Sequence, residues 1–287
     1  MQECLRTTGN KTVSERSSNK TVKLPSRNGK NPWQARGEAR YTVDQERRPN
    51  NDRNEELAQE LRKKTSECLG GAMPVRDPLK QSGHYSYAVP IEKSGQVIPM
   101  VHCESGIERD YAYVLEYDPM VVSFEEQPCK ISYFYDQEEH YYIPDFAVYW
   151  CHKQPSIVEC KPASKLDDPE NLRKWTAARL WCKQNHYTFE LVTDAALRQL
   201  GSLLSNIKLL AGHGHQQIAP QVKEYLLRKV QAENRALSVA ELVERHPQYT
   251  PTIVRSCIWH LLYTRELSAD LTKPLNVMTT LVWFSAK

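Results

Sequence analysis

Residues 141–161 read YYIPDFAVYWCHKQPSIVECK, and the fold class turns on how this stretch is laid out. Tyr141 to Trp150 and Ser156 to Lys161 are rich in aromatic and β-branched residues, and Cys151 to Pro155 between them has the composition of a turn. The spacing predicts two antiparallel strands. With the chain pivoting near Lys153, Asp145 comes opposite Lys161, and Glu159, two residues before the lysine, shares its face. Two carboxylates and an ammonium then meet at one end of a hairpin. Converging carboxylates make a hard oxygen site suited to Mg, which leaves its remaining positions to water and phosphate. An ion there polarises a phosphoryl oxygen and activates water, while the lysine orients that water, takes its proton or balances charge. The chemistry indicated is phosphodiester hydrolysis.

Each residue also has an ordinary explanation. Pro-Asp at a strand start can form an Asx turn, and Glu159 with Lys161 can be an exposed pair on a strand. Their joint spacing, the strand context and the apolar neighbours Phe146, Val148, Ile157 and Val158 favour the site.

Upstream, Ser105 to Asp118 (SGIERDYAYVLEYD) predicts a helix. Ser105 caps it, Glu108 stands at the capping-box position, and Ile107, Tyr111 and Val114 recur on one face before Pro119 ends it. If this helix packs on the hairpin, Glu108 brings a third carboxylate, although its capping role alone would explain it. Strands are expected at Val121 to Phe124 and Lys130 to Tyr135. Downstream, Asp168-Pro169 opens a helix running to about Gln184, and Thr188 to Thr193 reads as a strand. An apolar helix from Ala195 to Leu210 is expected to close at the Gly-rich AGHGH of 211–215. His213 and His215 have no acid or thiol beside them and read as solvated loop residues.

Composition sets the outer limits. The 287 residues are 40% hydrophobic and 25% charged, and no apolar run reaches the length of a membrane span. Nor does the N-terminus contain a secretory apolar core, so a cytoplasmic location is expected. The eight cysteines stand singly, without a C-x-x-C pair, and read as reduced thiols, most of them buried. Residues 1–73 carry 15 Lys and Arg against 10 Asp and Glu with little apolar content, which predicts a basic, mostly disordered arm. The ordered chain is expected to begin at Pro74, with one domain over 74–211 and a second over 212–287.

The second domain reads as three helices followed by two strands. Ile218, Val222, Tyr225, Leu226 and Val230 mark the first helix, Ser238-x-x-Glu241 caps the second, and Thr250-Pro251 starts the third, with Ile253, Cys257 and Leu261 inward. Strands are expected at Glu266 to Leu271 and Met278 to Phe284. This order outlines a winged helix-turn-helix. Thr252, Arg255, Ser256 and Trp259 on the third helix are the candidates for DNA binding or partner docking. Nine basic against six acidic residues make the domain weakly basic and favour docking to protein.

The pattern P-D-x(13)-E-x-K resembles the signature of PD-(D/E)xK, or restriction-endonuclease-like, nucleases. Glu104-Ser105 through Glu108-Arg109, Phe124-Glu125-Glu126-Gln127-Pro128, Tyr142-x-Pro144-Asp145-Phe146, Val158-Glu159-x-Lys161 and Leu191-Val192-Thr193 fall in the order found in the TnsA family. The chain from about Pro74 onward is similar to these endonuclease subunits of heteromeric cut-and-paste DNA transposases. The resemblance implies an α/β restriction-endonuclease-like domain, a mixed sheet flanked by helices, followed by a C-terminal winged-helix domain. It also implies Mg-dependent cleavage, with Mn as substitute, of the 5′ strand of double-stranded DNA at transposon ends. The partners implied are a DDE-type transposase and an AAA+ regulatory ATPase. By motif, Glu108, Asp145 and Glu159 are metal ligands, Lys161 is the catalytic lysine and Gln127 a supporting neighbour.

Two other readings stay open on sequence. A stand-alone restriction or repair nuclease would cut DNA without a partner and without transposon ends. A catalytically silent adaptor would use the same folds only to bind, and the gathered acids argue against it. Residues 74–211 carry 14 basic against 19 acidic residues, a poor DNA clamp without metal and partners.

Overall fold

The computed structural model describes residues 87–93, 100–233 and 235–284. The expected basic arm and the expected start at Pro74 lie outside the described residues.

A four-stranded mixed sheet forms the centre, built from β3 (Val121–Glu126), β6 (Phe146–Trp150), β7 (Ser156–Lys161) and β8 (Thr188–Thr193) in that spatial order. The first two pairings are antiparallel, and β7 with β8 is parallel. All five residues of β6 are buried because both faces of the sheet are covered. Alternation along the strands sorts the side chains. Phe146, Val148, Val158 and Cys160 pack with Tyr111 and Leu115 of helix α1 (Gly106–Tyr117) in one cluster. Ala147, Tyr149 and Ile157 pack on the other face with Ala178 and Cys182 of helix α2 (Pro169–Gln184). Phe146 anchors the first layer, edge-on to Tyr111 and Phe124 at centroid distances of 6.0 and 6.1 Å.

The expected strand Tyr141 to Trp150 is two strands. Ile143-Pro144-Asp145 interrupts it, since proline has no N–H to donate and its ring fixes the backbone. The N-terminal piece, β5 (Glu138–Tyr142), pairs with β4 (Ile131–Tyr135) in a separate hairpin over α2, while β6 enters the central sheet. The register also differs from expectation. Phe146 faces Val158 and Val148 faces Ser156, so the next step of the ladder sets Asp145 beside Glu159 rather than Lys161. The cause is an overhang: Tyr149 and Trp150 run past the start of β7 to pair with Ser123 and Val121 of β3. The difference is two residues, so every side chain keeps its expected face. A hairpin of β1 (Tyr87–Pro90) and β2 (Met100–Cys103), absent from the sequence reading, packs beside α1.

The caps expected at Ser105, Asp168, Ser238 and Thr250 are all present, each side chain accepting a backbone N–H of the first turn. The expected helix Ala195 to Leu210 is instead broken into α3 (Asp194–Arg198) and α4 (Ser202–Gly214). Gly201 turns the chain between them at φ +53°, a conformation that glycine adopts without strain. The Gly-rich stretch continues α4 instead of closing it, because Gly214 lets the Tyr263 ring lie against the helix backbone.

Helix α4 packs against α1 on one side and α7 (Pro251–Tyr263) on the other. Beyond it follow α5 (Pro220–Glu233), β9 (Leu237–Ser238), α6 (Val239–Arg245), α7, β10 (Leu267–Ala269) and β11 (Leu281–Phe284). The last three strands form an antiparallel sheet in the order β10-β11-β9. One apolar cluster runs from α1 through α4 into α7. Across this seam the Tyr117 hydroxyl donates to Leu262 O at 3.3 Å. Buried Asn206 of α4 donates to the carbonyls of Leu271 and Lys273 and accepts from Leu275 N, so its amide is fully used. Among the described residues no helix is long and apolar enough to cross a membrane.

Candidate active site

Asp145 lies at the break before β6. Its N–H donates to Val158 O at 3.1 Å, its carbonyl accepts from Gln127 N at 2.9 Å, and its carboxylate Oδ2 accepts from Cys160 N at 2.7 Å. The side chain thereby continues the ladder past Pro144. Two positions later along β7 than Ile157, Glu159 shares that residue's face, and its buried carboxylate Oε1 lies 2.9 Å from Lys161 Nζ. Its other oxygen, Oε2, is buried without a hydrogen-bond partner. Glu108 arrives from the opposite layer, where its N–H bonds Ser105 Oγ and its own Oε2 accepts from Glu104 N at 2.7 Å. The capping geometry is thus real, and it fixes the carboxylate beside the sheet.

The acids act on one another through their charges. Burial first, and then the Asp145 charge, push Glu108 up to about 7. Burial and the Glu159 charge push Asp145 up to about 8, against the opposing pull of Lys161 and the Cys160 N–H. Glu159 is raised by burial, with Lys161 opposing. Burial works against the Lys161 ammonium, yet Glu159 and Asp145 together hold it above its ordinary value. One lysine therefore stands among three carboxylates that lack enough positive charge to ionise freely.

That donor set fits a hard divalent cation. All three acids offer oxygen, and Glu159 Oε2 is an acceptor still to be satisfied. Among the described residues no three or more His, Cys, Asp or Glu side chains stand close enough together to hold an ion between them. Mg needs no such cage, since one or two carboxylates suffice when water and phosphate complete the shell.

Gln127 follows β3 in a left-handed conformation, φ 45°, and is buried. Its Nε2 donates to Glu104 Oε1 at 3.0 Å, and its Oε1 has no partner. Glu104 is therefore a member of the site that the sequence reading quoted but gave no role. Glu126, beside Gln127, is buried and accepts from both His102 N and the His102 ring. The acidic run Glu125-Glu126 before Gln127 was the available signal, but the strand that carries His102 was not foreseen. Lys174 of α2 was also missed. It pairs with Glu170, and its charge reaches Glu159.

On α7, Thr252 is exposed, while Arg255 and Ser256 are half-buried. Arg255 folds back onto Pro251 O at 3.2 Å. Trp259 is only 8% exposed and belongs to the core, so it is no surface contact. Of the expected inward residues Cys257 and Leu261 are buried, with Val254 and Ile258 beside them, whereas Ile253 is exposed. His213 contacts Gln216 and joins no metal group.

Residues 118–194 match the family model described as TnsA-like endonuclease N terminal. The matched segment holds Gln127, Asp145, Glu159 and Lys161, whereas Glu104 and Glu108 precede it. No curated protein matches the chain. The central sheet and the Asp145, Glu159 and Lys161 cluster fall inside that match, so residues 118–194 are similar to the N-terminal domain of TnsA-like endonucleases.

Proposed function

We propose that the chain is a Mg-dependent DNA endonuclease subunit of a heteromeric transposase, hydrolysing the 5′ strand at transposon ends during cut-and-paste transposition. The observation that carries this reading is the buried Glu159–Lys161 ion pair with Asp145 at the next step of the ladder beside Glu159, the Glu159 Oε2 atom being unpartnered. A bound Mg, for which Mn substitutes, would polarise a phosphoryl oxygen and lower the pKa of coordinated water. Glu108, Asp145 and Glu159 are the residues that would hold it.

The protein's own groups have distinct tasks. The Cys160 N–H and the backbone contacts on both sides of Asp145 fix that carboxylate against the sheet. Lys161, kept fully protonated by Glu159 and Asp145, stabilises the negative charge that builds on the phosphate as water attacks. Gln127 is tied to Glu104, and its buried Oε1 is still available to accept.

The C-terminal order of helix, strand, two helices and two strands, with its three-stranded antiparallel sheet, supports a winged-helix reading. We assign it to partner docking, with Thr252, Arg255 and Ser256 as its surface. The double-stranded transposon end is the substrate, a DDE-type transposase cuts the other strand, an AAA+ ATPase regulates the assembly, and the location is the bacterial cytoplasm.

The test is strand-specific cleavage in a reconstituted reaction with both partners. Wild type cuts the 5′ strand in Mg, and Asp145→Ala and Lys161→Ala do not while remaining folded. Cleavage that persists in both variants overturns the reading.

A further inference from the structure

Strand β4 and helix α2 line an open groove of about 580 Å³ that the chemistry above does not use. Four large apolar side chains stand exposed along it: Phe134 at 79%, Tyr135 at 48%, Leu172 at 45% and Leu180 at 60%. On α2, Leu172, Thr176 and Leu180 recur every four residues on one exposed face. Midway along it, Thr176 and Ala177 are short enough for a second helix to approach closely. A contiguous apolar patch rimmed by charge marks an interaction site.

The rim says what fits. Arg173, near the start of α2, lies 4.3 Å over the ring of Tyr135 at one end of β4, and Ile131 at the other end packs with Cys182 near the end of α2. The β4–β5 turn therefore sits at the N-terminal end of α2, and Lys130 at its C-terminal end. The turn brings exposed Asp136, Glu138 and Glu139 to the end that already holds Asp167 and the cap Asp168. Two cations of that end are engaged, Arg173 on Tyr135 and Lys174 on Glu170. The opposite end carries exposed Lys130 and Lys183. A twofold axis crossing α2 near Thr176 lays the acidic end of one copy on the basic end of the other, at both ends at once, and sets the two helix dipoles antiparallel.

We propose that this groove is the contact surface of a homodimer, in which α2 of one copy lies antiparallel against α2 of a second and each acidic turn meets the other copy's lysine end. The occupant is a second copy because the surface is complementary to itself, as a twofold contact requires. The inference goes beyond the metal chemistry and does not depend on it.

The experiment is sedimentation equilibrium of the full chain at micromolar concentrations, with thermal unfolding of each protein. The proteins are wild type, Leu180→Asp, the double variant Lys130→Glu with Lys183→Glu, and the double variant Glu138→Lys with Glu139→Lys. Every replaced side chain is exposed, so each variant should fold as wild type does. Wild type is expected to be a dimer, Leu180→Asp to weaken it by about tenfold or more, and each charge variant to be monomeric alone. An equimolar mixture of the two charge variants should restore a dimer, since both ends then join opposite charges again. A monomeric wild type overturns the inference, and so does a dimer that Leu180→Asp leaves intact. Charge variants that remain monomeric when mixed overturn it equally.

Discussion

The Asp145 carboxylate and the Cys160 N–H are joined at 2.7 Å, so an acidic side chain of the strand entry holds the backbone of the neighbouring strand. The same group is needed for the ladder and for the ion. Asp145→Ala removes the acceptor and strands the Cys160 N–H, which costs about 1–3 kcal/mol in addition to cleavage. Asp145→Asn keeps an acceptor and removes a charge that raises Glu108, so it should lose cleavage without losing stability. Urea unfolding beside a cleavage assay separates the two variants.

Lys161 is expected to matter for turnover more than for ion binding. Its Nζ lies 2.9 Å from Glu159 Oε1, and no other cation bonds that carboxylate directly among the described residues. Lys161→Ala should lower cleavage by about 10²–10³-fold, the scale for removing one donor to developing charge. Mn²⁺ binding should persist, measured by titration on the same preparation.

The acids also set a pH dependence. Glu108 and Asp145 sit at about 7 and about 8 in the fold, against ordinary values of 4.5 and 3.8. Between those limits the folded protein keeps protons that the unfolded chain has released, so the stability they contribute is full at acidic pH and lost as pH rises. Burial holds Lys93 down at about 7, which acts in the opposite direction only above that pH. The metal-free melting temperature should therefore fall between pH 5 and 7, with about 2–4 °C for each kcal/mol. Added Mg²⁺ should flatten the slope, and so should Asp145→Asn. Calorimetry across this range checks the sign.

Gly214 tests the seam between the sheet domain and the C-terminal helices. A Cβ built there meets the Tyr263 ring at 2.3 Å. Gly214→Ala is expected to destabilise the chain by about 1–3 kcal/mol, the usual cost of overpacking. Tyr263→Leu should recover part of this loss in the double variant, and a double-mutant cycle of unfolding free energies measures the coupling.

Much of this was legible in the residues. The capping acids and hydroxyls at Ser105, Asp168, Ser238 and Thr250 act locally, so their sequence context is enough to place helix starts. Period-two alternation put Asp145, Glu159 and Lys161 on one face, and that survived an error in register because the error was even. The register itself was set by Tyr149 and Trp150 pairing with β3, a contact between segments far apart in sequence. Pro144 was read as part of a motif and not as the break it makes between β5 and β6. The β1–β2 hairpin was missed because its strands are four residues each and gain stability only by packing on α1. Trp259 shows the reverse failure, since a helix face was assigned from spacing while the packing against α4 chose the actual inward side.

The central claim is a divalent ion held at Asp145 and Glu159. Crystals of the chain with transposon-end DNA, soaked in Mn²⁺, test it through anomalous difference density around these two carboxylates in wild type and in Asp145→Ala. A peak contacting both residues in wild type and absent from the variant is the expected result. Ordered DNA at the site with no anomalous peak beside Asp145 in wild type contradicts the claim.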